Sequence, residues 1–195
     1  MNKLEGLYEL QRLNIPSVEW NIFKENTKLD KTHLWTIRTA VYKGRDVNLP
    51  KLFGATAQVA QEYGQHMRNV VGDNGIVIYY PYLVAEKSGN LQIGMDSVIL
   101  EVVNGDLEPL LQGEAIDTTY IFSAQEKKII GNQWLLSEDE IAQILMHADY
   151  LKQTYRYLID NKNSLQLEFS FASESDLCKR AIGNPRLIFF EIRTV

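Results

Sequence analysis

Leu4, Leu7, Leu10 and Leu13 recur at the spacing of one helix face, and the run stops at Ile15-Pro16, where proline biases the residue before it away from helix. A first helix is expected to end there. Leu34 to Tyr42, LWTIRTAVY, is β-branched and aromatic with polar residues interleaved, the pattern of a strand from which Arg38 leaves one face. Gly44 then opens a loop through Pro50. Val59, Tyr63, Met67 and Val70 follow a helical step within Ala55 to Val70, although Gly64 in the middle costs about 1 kcal/mol relative to alanine.

Between Gly75 and Gly113 the pattern changes to short β-rich runs broken by Gly and Asn: GIVIYYPYLVA, NLQIG and SVILEVV. This predicts the centre of a mostly antiparallel sheet. Thr118 to Ser123 and Lys127 to Ile130 read as a further hairpin. Ser137 followed by Glu140 is a capping box, and Ile141, Ile144, Leu145, Ala148, Leu151, Tyr155 and Leu158 form one apolar stripe over about six turns. Two closing strands, Leu165 to Ala172 and Leu187 to Arg193, flank a turn-rich stretch holding Gly183, Asn184 and Pro185. The fold class is α+β, with helices packed on a mostly antiparallel sheet.

At 195 residues and 45% apolar content, the chain suits one compact domain or two small lobes closing on a cleft. A net charge of −5 gives no field favouring nucleic acid or an anionic membrane. Cys178 is the only cysteine, which removes an intramolecular disulfide or a CxxC site and makes a reducing cytosol the expected, cytoplasmic location. The N-terminal stretch lacks the apolar core of a signal peptide, and no stretch approaches the roughly 20 apolar residues of a spanning helix. P-loop, GxGxxG, GxSxG and HExxH signatures are absent.

The closing strands concentrate the chemistry. If they are antiparallel neighbours, Glu168 and Glu191 could point into one cleft about two pleats apart, where two carboxylates can hold Mg²⁺ on a nucleotide. Arg193 shares a face with Glu191, and its planar fork suits phosphate. The competing reading is a cross-strand ion pair on a solvated face. His66 and His147 fall near apolar stripes and read as core or boundary histidines, and Cys178 reads as a packed or loop residue. Tyr79, Tyr80 and Tyr82 around Pro81 could stack on a planar base or pack within the sheet.

In order and across almost the whole chain, these segments resemble the ATP-grasp nucleotide-binding domain of phosphoenolpyruvate synthase and pyruvate phosphate dikinase. KLEGLYEL and LNIPSVEW look like that family's opening helix and following turn, with Lys3 kept and the flanking glycines not. WTIRTA with Arg38 looks like its arginine-bearing strand, and GRDVNLPKLFGATAQV like the loop after it. VIYYPYLVAEKSGNLQI resembles the hinge strand and hairpin, and ILEVVNGDLEPLLQG keeps the spacing of Glu101, Gly105 and Gly113. LSEDEIAQILMHADYLKQTY looks like the long helix. LQLEFSF and LIFFEIRTV resemble the strands that line the metal and triphosphate end of the cleft.

The resemblance implies two lobes around a nucleotide cleft, residues 1–72 and 73–195, with ATP and Mg²⁺ as ligands. Lys3 and Arg38 would contact ATP phosphates, Arg193 the γ-phosphate, Tyr80 to Tyr82 would form the adenine hinge, and Glu101 would belong to the nucleotide site. Glu168 and Glu191 would hold the metal. Gln166 stands where the family has aspartate, Glu191 where it has glutamine, and Thr39 and Ala40 where it has paired serines. The expected activity is ATP·Mg²⁺-dependent phosphoryl transfer to a histidine on a separate partner or to a small acceptor. A degenerate fold that binds nucleotide or a protein without catalysis is the alternative, and assembly through an apolar sheet edge is a third reading.

Overall fold

The computed structural model describes residues 1–43, 49–113, 116–159 and 163–195. In chain order the elements are α1 (Lys3–Arg12), β1 (Asn21–Ile22), β2 (Leu34–Val41), β3 (Lys51–Thr56), α2 (Ala57–Val71), β4 (Gly75–Pro81), β5 (Leu83–Ile93) and β6 (Ser97–Asn104). They continue with α3 (Glu108–Leu111), β7 (Thr118–Ser123), β8 (Lys127–Gly131), α4 (Glu138–Thr154), α5 (Arg156–Ile159), β9 (Leu165–Ser175) and β10 (Ala181–Thr194). The architecture is α+β with two antiparallel sheets, of order β1-β4-β2-β3 and β10-β9-β5-β6-β7-β8. Among the described residues no helix is long and apolar enough to cross a membrane.

The elements stack in layers because each sheet has an apolar face that a helix covers, while the other faces of the two sheets meet. One face of the small sheet packs Trp35, Ile37 and Val77 against Ala57, Ala60 and Met67 of α2. One face of the large sheet packs Leu91, Leu100, Leu167 and Phe169 against Ile141, Ile144, Ala148 and Leu151 of α4. Between the sheets, Leu4 and Leu7 of α1 join Ile78, Tyr80, Ala172 and Ile188. Asn2 and Glu5 close a capping box that starts α1 at Lys3.

Several expectations need correction. GIVIYYPYLVA is not one sheet centre, since the chain leaves the small sheet at Pro81 and enters the large one at Leu83. NLQIG is the end of β5 rather than a separate strand, because Ser88, Gly89 and Asn90 pair on both sides, with β6 and β9. β3 occupies residues read as loop and helix start. In α2 the buried face is Ala57, Ala60, Gly64 and Met67, while Val59 and Val70 are exposed. Gly64 is used for close approach: a Cβ there would lie 2.6 Å from the Phe23 ring. The long apolar stripe is broken at Tyr155 between α4 and α5. Gly183, Asn184 and Pro185 lie inside β10 at a register irregularity, and the turn falls earlier, where the Asp176 carboxylate accepts from the backbone of Cys178 and Arg180. The loop expected from Gly44, and the start of GRDVNLPKLFGATAQV, fall on residues 44–48, outside the described residues.

Candidate functional site

A cleft of about 880 Å³ lies between the two sheets, beside α1 and under α3. The small sheet contributes Thr36, Arg38, Lys51, Phe53 and Tyr80, and the large sheet Leu83, Ala85, Ser88, Glu168, Ser170, Ala172, Phe190, Glu191 and Arg193. Lys3 enters from α1 and Tyr82 from the crossing between the sheets. Of the residues singled out in the sequence, Lys3, Arg38, Tyr80, Tyr82, Glu168, Glu191 and Arg193 therefore meet at one site. Glu101 does not line it.

Strand register explains the floor. Glu191 stands directly opposite Glu168, which is opposite Asn90, which is opposite Glu101. Directly opposed residues share a face, so the four form one polar row across β10, β9, β5 and β6. The two carboxylates are thus adjacent rather than two pleats apart. Glu101 shares their face but sits two strands from Glu168, with Asn90 between.

The solvated ion-pair reading of the closing strands is also overturned, because Glu168 and Glu191 are 6% and 2% exposed. Glu191 Oε2 accepts from Arg38 Nη2 and faces Lys3 Nζ, both at 3.1 Å. Arg193 takes a different partner: its Nε donates to Gln166 Oε1 at 3.0 Å, and its Nη2 lies 4.0 Å from Glu168. Burial works against the Arg38 charge, but Tyr80, to which it hydrogen-bonds, and the two carboxylates outweigh it and hold the guanidinium above the ordinary arginine range. Burial, then the neighbouring Glu191, pushes Glu168 above the ordinary glutamate value, while Arg38, Lys3 and Arg193 pull the other way. Burial likewise raises Tyr80, so it remains a neutral phenol.

The tyrosines divide by face. Tyr79 packs edge-on against Phe23 and Trp35 on the α2 side of the small sheet. Tyr80 lines the cleft interior, and Tyr82 lines it with the Lys179 ammonium 5.7 Å from its ring centroid. Opposite them Ala85, Ser88, Ser170 and Ala172 are small, which leaves space at this end. His147 sits edge-on to Phe189, 5.8 Å between centroids, and its burial lowers its pKa, whereas His66 is exposed rather than at a core boundary. Cys178 is exposed in the β9–β10 turn.

Sequence reasoning missed Lys51, Ser88, Asp106, Glu108 and Ser170. Lys51 pairs with Arg38 in register, and its Nζ meets Glu108 Oε2 of α3 at 2.5 Å across the cleft mouth. Its only sequence signal is a basic residue within GRDVNLPKLFGATAQV, the segment that resembles the family's loop. Ser170 and Ser88 hydrogen-bond at 2.8 Å, and Ser88 donates on to the Gly105 carbonyl at 2.7 Å.

A cleft with Lys3, Arg38 and Arg193 beside buried carboxylates can take an anion together with a cation. Among the described residues no group of three or more His, Cys, Asp and Glu is gathered for a metal. Glu168 and Glu191 fit a Mg²⁺ that brings most of its ligands as phosphate oxygens and water. Asn90, next to Glu168 in the row, has a buried Oδ1 without a hydrogen-bond partner among the described residues, but it does not line the cleft. Comparison of the chain with protein-family models and with curated proteins returns no match.

Proposed function

We propose that the chain is an ATP-grasp-like domain that binds ATP with Mg²⁺ in the cleft between its sheets and supports phosphoryl transfer. The observation that carries this reading is the convergence of Lys3, Arg38, Glu168, Glu191 and Arg193 on one cleft from sequence positions 3 to 193. These are the residues that the resemblance to the phosphoenolpyruvate synthase family assigns to triphosphate and metal. Polarity within the cleft also supports it. Lys3, Arg38, Glu168, Glu191 and Arg193 gather together, with Tyr80 hydrogen-bonded to Arg38 among them, and Tyr82 offers an aromatic ring elsewhere in the lining, which orients a nucleotide with its base toward Tyr82 and its phosphates toward Arg193.

Phosphoryl transfer asks for positioned charge rather than covalent chemistry from the protein. Mg²⁺, when bound to Glu168 and Glu191, would offset phosphate charge. Lys3 and Arg38 hold Glu191 in place and present cations to the phosphates. Half-exposed Arg193 stands at the open side, where an acceptor histidine or small molecule would approach.

A second reading, nucleotide binding without catalysis, draws on Gln166. This residue occupies the family's aspartate position and is tied to Arg193 by the 3.0 Å hydrogen bond. Calorimetric titration of ATP with and without Mg²⁺, on the wild type and on a Glu168→Gln/Arg193→Ala double variant, tests both readings. Magnesium-dependent binding that the double variant loses is the expected result, and ATP turnover by the wild type separates catalysis from binding alone. Absence of binding by the wild type overturns both.

A further inference from the structure

Two buried hydroxyls in the cleft lining stand apart from the charged cluster. Ser88 of β5 and Ser170 of β9 are opposite each other in register, 0% and 3% exposed. Ser170 lies one pleat along β9 from Glu168 and shares its face, since residues two apart point the same way. The Ser88 and Ser170 Oγ atoms are 2.8 Å apart, and Ser88 Oγ is 2.7 Å from the Gly105 carbonyl oxygen. That carbonyl can only accept, so Ser88 spends its hydrogen there, and the other contact is a hydrogen bond only if Ser170 donates to Ser88. Ser170 then has no hydrogen left to give. It presents lone pairs alone to the cleft, and its partner there must be a donor.

We propose that Ser170, oriented by Ser88 and the Gly105 carbonyl, accepts a hydrogen bond from a ribose hydroxyl of the bound nucleotide; this rests on the ATP reading given above. The order of groups along the strands decides for the ribose. On β9 the lining runs Glu168, Ser170, Ala172, and the β5 residues opposite the last two are Ser88 and Ala85, with Leu83 and then Tyr82 beyond. A nucleotide is bonded in the order phosphate, ribose, base. With its phosphates at the carboxylate row and its base toward Tyr82, its ribose falls beside the serine pair. Ionised phosphate oxygens do not suit Ser170, because they too are acceptors. Leaving a buried acceptor without a donor is costly, so the pair selects ligands that carry a hydroxyl at this place.

The test is calorimetric titration of ATP, 2′-deoxy-ATP, 3′-deoxy-ATP and inosine triphosphate, each with Mg²⁺, into the full chain as wild type, Ser170→Ala and Ser170→Cys. In the wild type, loss of one of the two ribose hydroxyls is expected to weaken binding about tenfold, and the analogue that does so names the hydroxyl Ser170 reads. Both variants should bind ATP and that analogue within about twofold of each other. Ser170→Cys is nearly isosteric and accepts weakly, so it serves if Ser170→Ala does not fold. A preference that survives in the variants means that the hydroxyl is read elsewhere, and it overturns the role of Ser170. Equal wild-type affinity for ATP and both deoxy analogues overturns the ribose assignment and leaves the nucleotide reading intact. So does a preference for ATP over inosine triphosphate alone that the variants lose, which would put the adenine amino group at Ser170. No binding of ATP by the wild type overturns the nucleotide reading and this inference with it.

Discussion

Glu191 and Glu168 face each other across β10 and β9, yet their surroundings give them opposite energetic roles. Glu191 is the shared partner of Lys3 and Arg38. Its replacement by alanine takes a shared carboxylate away from two largely buried cations, and the expected loss is about 3–5 kcal/mol in denaturant unfolding. A loss below about 1 kcal/mol would mean that both cations find other partners. Glu168 has the Arg193 guanidinium at 4.0 Å, and burial, with Glu191 beside it, raises its folded pKa above the ordinary 4.5. Protonation is then favoured by folding, so the stability from this group is fully present below pH 4.5 and is lost as pH rises through the folded value. Glu168→Gln mimics the protonated form. Its melting temperature should exceed that of the wild type, by a margin that grows from acid to neutral pH, while its Mg²⁺-dependent ATP binding falls. A margin independent of pH would refute the assignment. Both glutamates were legible as candidates from the spacing of the closing strands, but their partners were not, since Lys3 and Arg38 lie far away in sequence.

Elements are positioned by two close approaches. Gly6 of α1 lies against β10 so tightly that a Cβ would meet the Ile192 carbonyl oxygen, which is main chain and cannot swing away. Gly6→Ala is therefore expected to push α1 off β10 and carry Lys3 away from Glu191. It should weaken ATP binding and lower the melting temperature together. Gly64→Ala meets the Phe23 ring instead, remote from the cleft. There the overpacking cost of about 1–3 kcal/mol opposes a helix-propensity gain of about 1 kcal/mol, so a net loss of stability with unchanged ATP affinity is expected. Equal effects of the two variants on affinity, measured by calorimetry, would contradict this division. α1, β2, α4, β7 and β8 were legible because period and capping signals were local. The partition of GIVIYYPYLVA between two sheets was not, because a continuous apolar run is compatible with either partner. The buried face of α2 was not legible for a related reason: it holds Ala57, Ala60 and Gly64, and small residues carry little weight in a hydrophobic pattern.

At the scale of the molecule, the cleft depends on how two sheets meet. The Lys51–Glu108 pair spans its mouth, from β3 of the small sheet to α3 beyond the large one, with side chains 39% and 44% exposed. Such an exposed pair contributes roughly 0–1 kcal/mol, so Lys51→Met/Glu108→Gln should leave the melting temperature nearly unchanged. Both the association and dissociation rates of a fluorescent ATP analogue should rise in stopped-flow measurements, since the variant removes a tie across the entrance. Unchanged rates would exclude a gating role. By itself the sequence determined the α+β class, most of the helices, the antiparallel closing strands and a list of candidate residues, because periodicity, capping boxes and β-branched runs act over a few neighbouring positions. Only the tertiary structure decided that there are two sheets, that Glu168 opposes Glu191 directly, that Lys51 belongs to the cleft and that Glu101 stands outside its lining. Those outcomes are set by strand register and by packing between residues as far apart as Lys3 and Glu191, and a one-residue change in register would turn each of these side chains to the other face.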